Sequence, residues 1–115
     1  MFGVIGGVAN AIKPGKTMLS SMTPTIIEKN NELFMVIGSP GGARIPTVVF
    51  QTILNVIVFK MSMQEAVDSR RTHSQWLPDV IYQEPGALKK SDSLQLVQMG
   101  HVIKFISDLD DLVPR

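Results

Sequence analysis

Between positions 33 and 58 three patterns meet with no spacer. Residues 33–37 form a β-rich run that ends in the apolar triplet Met35-Val36-Ile37. Gly38-Ser39-Pro40-Gly41-Gly42 follows directly. Then Ile45, Val48, Val49, Ile53, Val56 and Ile57 recur at helical spacing, with Phe50, Leu54 and Val58 on the other faces. An apolar strand of this kind is expected to be buried on both faces. A helix apolar nearly all round is expected to be buried as well. A strand that turns on glycines into such a helix restricts the chain to a layered fold in which both are covered.

The flanking segments fit mixed layers. Residues 25–29 and 33–37 predict a β-hairpin through Asn30-Asn31-Glu32, since Asn tolerates a left-handed backbone. Pro46 suits the first turn of the helix. A second helix is predicted from Ser62 to about Arg70, where Ser62 and Glu65 make a capping box. Trp76-Leu77-Pro78-Asp79 predicts a loop, residues 80–83 a strand, and Glu84-Pro85-Gly86 a turn. Residues 91–99 predict a third helix, capped by Ser91, with Leu94 and Val97 inward and Gly100 ending it. Residues 102–106 read as a strand, and an acidic tail follows from Asp108. The expectation is α+β or α/β layers, with residues 1–115 as a single domain.

Composition narrows the function classes. The chain has 115 residues, 44% hydrophobic and 18% charged, and a mean hydropathy of +0.18. It can bury a core and lacks the signature of disorder. Its net charge of +1 disfavours an electrostatic nucleic-acid binder. With no cysteine, disulfides, thiolate chemistry and cysteine-ligated zinc are excluded. Gln51, Thr52 and Asn55 interrupt the longest apolar stretch, short of the roughly 18 residues a membrane span needs. Residues 1–11 carry no basic region, and Gly3, Gly6 and Gly7 break their apolar run, so no signal peptide is expected.

The turn at 38–42 is the best candidate site. Adjacent backbone amides at a strand–turn–helix junction can converge on an anion or form an oxyanion hole. Pattern alone favours a plainer role, a tight turn needing positive φ at Gly41 or Gly42. Ser20-Ser21 offers two hydroxyls to a carboxylate, although such pairs more often satisfy nearby backbone. His73 and His101 build no recognisable metal site without cysteine. His73 is expected to be structural, Arg71 solvated or ion-paired, and Trp76 a packing anchor. Asp108, Asp110 and Asp111 lack the spacing of a calcium loop.

Three blocks carry a resemblance. They are Pro14-Gly15-Lys16-Thr17-Met18-Leu19-Ser20-Ser21-Met22-Thr23-Pro24-Thr25-Ile26, then Gly38-Ser39-Pro40-Gly41-Gly42-Ala43-Arg44-Ile45, then His73-Ser74-Gln75-Trp76-Leu77-Pro78-Asp79 preceded by Glu65-Ala66-Val67-Asp68. In this order and spacing they resemble the small-subunit region of the γ-glutamyltranspeptidase family, from about Gly6 to Gly100. The resemblance implies part of the αββα sandwich of N-terminal-nucleophile hydrolases, truncated at both ends. It implies γ-glutamyl acyl transfer from glutathione-like substrates to water or to amino-acid or peptide acceptors. The family's nucleophile is a threonine freed at the start of the small subunit, whose α-amino group serves as base. Gly41 and Gly42 match the oxyanion-hole glycines, and Ser20 and Ser21 the pair that holds the substrate's α-carboxylate.

This chain departs from the family pattern at Thr17, where an arginine is usual, and at Arg70 and Thr72, where a Pro and a Phe are usual. The nucleophilic threonine lies upstream of the matched run, while Thr17, Thr23 and Thr25 are internal. The chain is therefore expected to carry oxyanion and carboxylate elements without a nucleophile and to be inactive alone. The alternative is a non-enzymatic remnant that oligomerises or complements a separate subunit. The implied partners are γ-glutamyl compounds and either a second copy or a large subunit, with no nucleic acid, membrane, metal or cofactor. The family is periplasmic or secreted.

Overall fold

A computed structural model describes residues 6–20 and 22–107 of the chain. Ser21 and the acidic tail from Asp108 therefore lie outside the described residues. The described part is α+β. Strands β1 (Thr25–Lys29) and β2 (Glu32–Ile37) form a hairpin, and helix α1 (Ile45–Ile57) follows. Then come helix α2 (Met63–Asp68), strands β3 (Thr72–His73) and β4 (Ile81–Gln83), helix α3 (Lys90–Gln98) and strand β5 (Ile103–Phe105). The hairpin is a two-stranded sheet, and the second sheet has the order β3-β4-β5.

The hairpin turn is one residue shorter than the sequence predicts. Asn30 (φ 56) and Asn31 (φ 64) are both left-handed, the geometry of a two-residue type I′ turn. Glu32 instead opens β2 and pairs with Lys29. The register runs Thr25 to Ile37 and Ile26 to Val36, with a bulge between Ile27 and Glu28.

Local signals hold elsewhere. The Ser62 hydroxyl accepts from the Glu65 amide (3.3 Å), and the Glu65 carboxylate accepts from the Ser62 amide (2.8 Å), closing the capping box of α2. The same Ser62 hydrogen bonds hold the Glu65 carboxyl below its usual range. Gly86 (φ 87) and the Ala87-to-Glu84 bond (3.0 Å) give Glu84-Pro85-Gly86-Ala87 a type II turn. Gly100 (φ 95) ends α3 in a Schellman motif, its amide bonded to the Val97 carbonyl and that of His101 to Leu96. Ser91 is not the cap of α3. Lys89 holds that position, and the Ser91 hydroxyl donates to Asp92 (3.0 Å) inside the helix.

Strand β3 has no sequence signature. It exists because Thr72 and His73 pair antiparallel with Gln83 and Tyr82 of β4. Strand β5 lies parallel to β4, across the α3 connection.

The apolar core is small. It comprises Met35, Ile45, Val48, Val49 and Ala66, joined by buried Thr52, whose hydroxyl donates to the Val48 carbonyl (3.0 Å). Four burial expectations fail. Only Met35 of the triplet in β2 is buried, while Val36 is 63% exposed. In α1, Phe50 is exposed, because no second layer covers that face among the described residues. Leu94 and Val97 of α3 are exposed. Trp76 is 80% exposed and anchors no packing.

Candidate functional site

The site is built outward from the end of β2. After Ile37 the chain bends through Gly38 and Ser39, where the Ser39 hydroxyl donates to the Pro40 carbonyl (2.8 Å). Gly41 has φ 126 and ψ 13, and Gly42 has φ 59. Both values are left-handed, a region that glycine enters without strain. Gly42–Arg44 then forms one 3-10 turn before α1, closed by the Arg44 amide on the Gly41 carbonyl (3.2 Å). Two successive peptide units at this junction are thus held in conformations that a chiral residue rarely adopts.

Beneath the turn lies a polar layer between α1 and the β3-β4-β5 sheet. Arg44 is 7% exposed, and its guanidinium sits 5.2 Å from the centroid of the Tyr82 ring. Burial lowers the Arg44 pKa, and Tyr82 acts in the opposite direction. The Tyr82 ring stacks on His73, centroids 6.5 Å apart. His73 is 2% exposed and bonded at both ring nitrogens: Nδ1 to the Thr47 hydroxyl (3.0 Å) and Nε2 to Gln75 Oε1 (2.9 Å). The Gln75 amide nitrogen donates to the Leu77 carbonyl (3.0 Å), which fixes its oxygen toward the ring. That oxygen only accepts, so Nε2 carries the proton and the neutral ring accepts from Thr47 at Nδ1. Burial is the main cause that lowers the His73 pKa, opposed by Gln75 and reinforced by the Arg44 charge.

Gln51 completes the connection. Its Nε2 donates to the Thr72 carbonyl (2.7 Å) and its Oε1 accepts from the Thr72 amide (3.0 Å), so the side chain pairs with β3 as a strand would. At the far side, Arg71 and Glu84 form a shielded ion pair (2.9 Å), and the Arg71 amide also donates to Glu84 (2.8 Å). The ion-paired role expected for Arg71 and the structural role expected for His73 are what the geometry gives. The importance of Arg44, Tyr82 and Gln51 has no local sequence signal. They matter because β3 and β4 meet α1 only in three dimensions.

Ser20 stands apart from this layer. It is exposed before β1, and its hydroxyl accepts from the Met22 amide (3.3 Å). Two cavities can be described. One of about 210 Å³ lies behind the turn, lined by Gly38, Ser39, Val48, Val49, Thr52 and Arg71 among others. One of about 520 Å³ is an open concavity lined by residues of the 6–19 segment. Neither wall contains Gly41, Gly42 or Ser20. Among the described residues no group of three or more His, Asp or Glu is placed to hold a metal ion. No helix among them is long and apolar enough to cross a membrane.

Comparison with known proteins extends over nearly the whole chain. The sequence model of the Gamma-glutamyltranspeptidase family matches residues 1–111. A glutathione hydrolase proenzyme from Pseudomonas sp. (strain A14) is 51% identical over 100 residues, which is 87% of this chain and 17% of that protein. The glutathione hydrolase proenzyme of Escherichia coli (strain K12) is 44% identical over 98 residues, 85% of this chain and 17% of that protein. A crystal structure of a mutant of Helicobacter pylori gamma-glutamyltranspeptidase superposes with a TM-score of 0.85 at 48% identity, covering 90% of this chain and 55% of that one. The chain thus spans about a sixth of the length of these curated relatives.

Proposed function

The chain belongs to the gamma-glutamyltranspeptidase family, and from that premise we propose that its segment supplies the electrophilic half of a γ-glutamyl acyl-transfer site. The amides of Gly41 and Gly42 receive the oxyanion formed when a hydroxyl attacks the γ-glutamyl carbonyl. Ser20 and Ser21 hold the substrate's α-carboxylate. The observation that carries this is the family match over residues 1–111, read with a glycine pair at the strand–turn–helix junction, where the missing Cβ atoms let a reacting carbonyl approach the backbone closely. One oxyanion donor is worth roughly 3–4 kcal/mol to the transition state.

The attacking group comes from outside this segment. Thr17, Thr23 and Thr25 have their α-nitrogens in peptide bonds, so none can be its own base. The acyl group then passes to water or to an amino-acid or peptide acceptor, and an exported setting is part of the proposal. A second reading, an oligomerising or subunit-complementing module in which residues 1–115 form one domain, is favoured by Ile26, Leu33 and Val36. All three are more than 60% exposed on one hairpin.

The test is a chimera in which this segment replaces the matched segment of the Escherichia coli relative, assayed with a chromogenic γ-glutamyl anilide. The chimera should turn over the anilide, whereas the 115 residues alone should not. Gly41→Ala in the chimera should lower kcat by about 100-fold or more, and Ser20→Ala should mainly raise KM. An active chimera whose kcat is indifferent to Gly41→Ala and Gly42→Ala removes the oxyanion role.

A further inference from the structure

We infer that Arg44, clamped over Tyr82, is the positioning residue that holds the two-glycine turn in its left-handed conformation. The contacts close a ring. The Arg44 amide bonds to the Gly41 carbonyl (3.2 Å), and its guanidinium lies over Tyr82 (5.2 Å). Tyr82 stacks on His73, and His73 bonds to Thr47, which lies in the first turn of the helix that Arg44 precedes. Each link is shielded: Arg44 and His73 are buried, and Tyr82 and Thr47 are half-buried.

A glycine pair has little conformational preference of its own, so its geometry must be imposed by its neighbours. On the β2 side the chain offers an exposed bend at Gly38 and Pro40. On the helix side it offers a buried cation over an aromatic face, an interaction that is strong when desolvated. The helix side therefore sets the direction of the turn. Arg44 acts through the backbone and touches no reacting atom. A lysine there is not equivalent, because a guanidinium is planar and more weakly hydrated than an ammonium and is favoured at a buried aromatic face.

This inference rests on the acyl-transfer reading of the turn, but its first readout is independent of turnover. In the full 115-residue chain, backbone order parameters of Gly41 and Gly42 should be near about 0.85 and should fall below about 0.6 in Arg44→Met and in Tyr82→Leu. Tyr82→Phe keeps the ring and should retain the order. Shift dispersion of Ile26 and Val36 reports that the hairpin is still folded. Should Arg44→Met lose that dispersion, Arg44→Lys is read in its place. In the chimera, Arg44→Met and Tyr82→Leu should each reduce kcat about tenfold with KM within twofold, and Tyr82→Phe, which keeps the ring, should retain it. Glycines that stay rigid in both loss variants overturn the clamp. Rigid-to-mobile glycines with an unchanged kcat keep the clamp and sink the acyl-transfer role instead.

Discussion

At the scale of single residues, His73 shows how burial sets chemistry. Its ring is enclosed, accepts from Thr47 and donates to Gln75, and all of this suits the neutral form. Its pKa is lowered, chiefly by burial. The unfolded chain then binds a proton more readily than the folded one as pH falls below about 6.5. The stabilising contribution is whole above that value and is lost progressively as pH drops toward the lowered folded pKa. Urea midpoints should be flat from about pH 7.5 to 6.5 and decline toward pH 5. A His73→Gln chain should show a flatter profile over the same window. A decline of equal size in that variant would assign the effect to another group. The sequence made the residue's structural role legible but not its partners, because Thr47 lies 26 positions away.

At the scale of elements, α1 docks on β3 through side-chain amide chemistry. Gln51 satisfies both the N–H and the C=O of Thr72, groups that a sheet neighbour would otherwise bond. Gln51→Leu keeps similar volume but leaves both Thr72 groups without that partner. Its cost should be about 1–3 kcal/mol in urea unfolding. A change under a few tenths of a kcal/mol would mean that water replaces Gln51 freely. The hairpin, the capping box and the Schellman end of α3 were all legible, since each is closed by residues within six positions of one another. Strand β3 was not legible. Its two residues are extended only because β4 lies beside them.

At the scale of the whole molecule, the exposed apolar surface dominates. Ile26, Leu33, Phe34 and Val36 on the hairpin and Phe50, Val58 and Phe59 around the end of α1 are all exposed. Apolar surface of this kind favours association, and among the described residues no third strand pairs with the hairpin, which leaves edges that invite it. The 115-residue chain should therefore sediment as a dimer or larger species at micromolar concentration. Phe34→Lys combined with Val36→Lys should shift it toward monomer. A monomer at high concentration in the unsubstituted chain would count against the oligomerising role.

The sequence by itself determined the hairpin, the capping box that starts α2, the glycine that ends α3 and the positive φ at 41–42, because turn chemistry, capping and periodicity act over a few residues. Its three motif blocks also determined the family. The tertiary structure alone decided which apolar faces are covered and that Arg44, Tyr82, His73 and Gln51 form one layer under the turn. Burial and pairing depend on what another part of the chain brings alongside, and a residue's own neighbours in sequence carry no record of that.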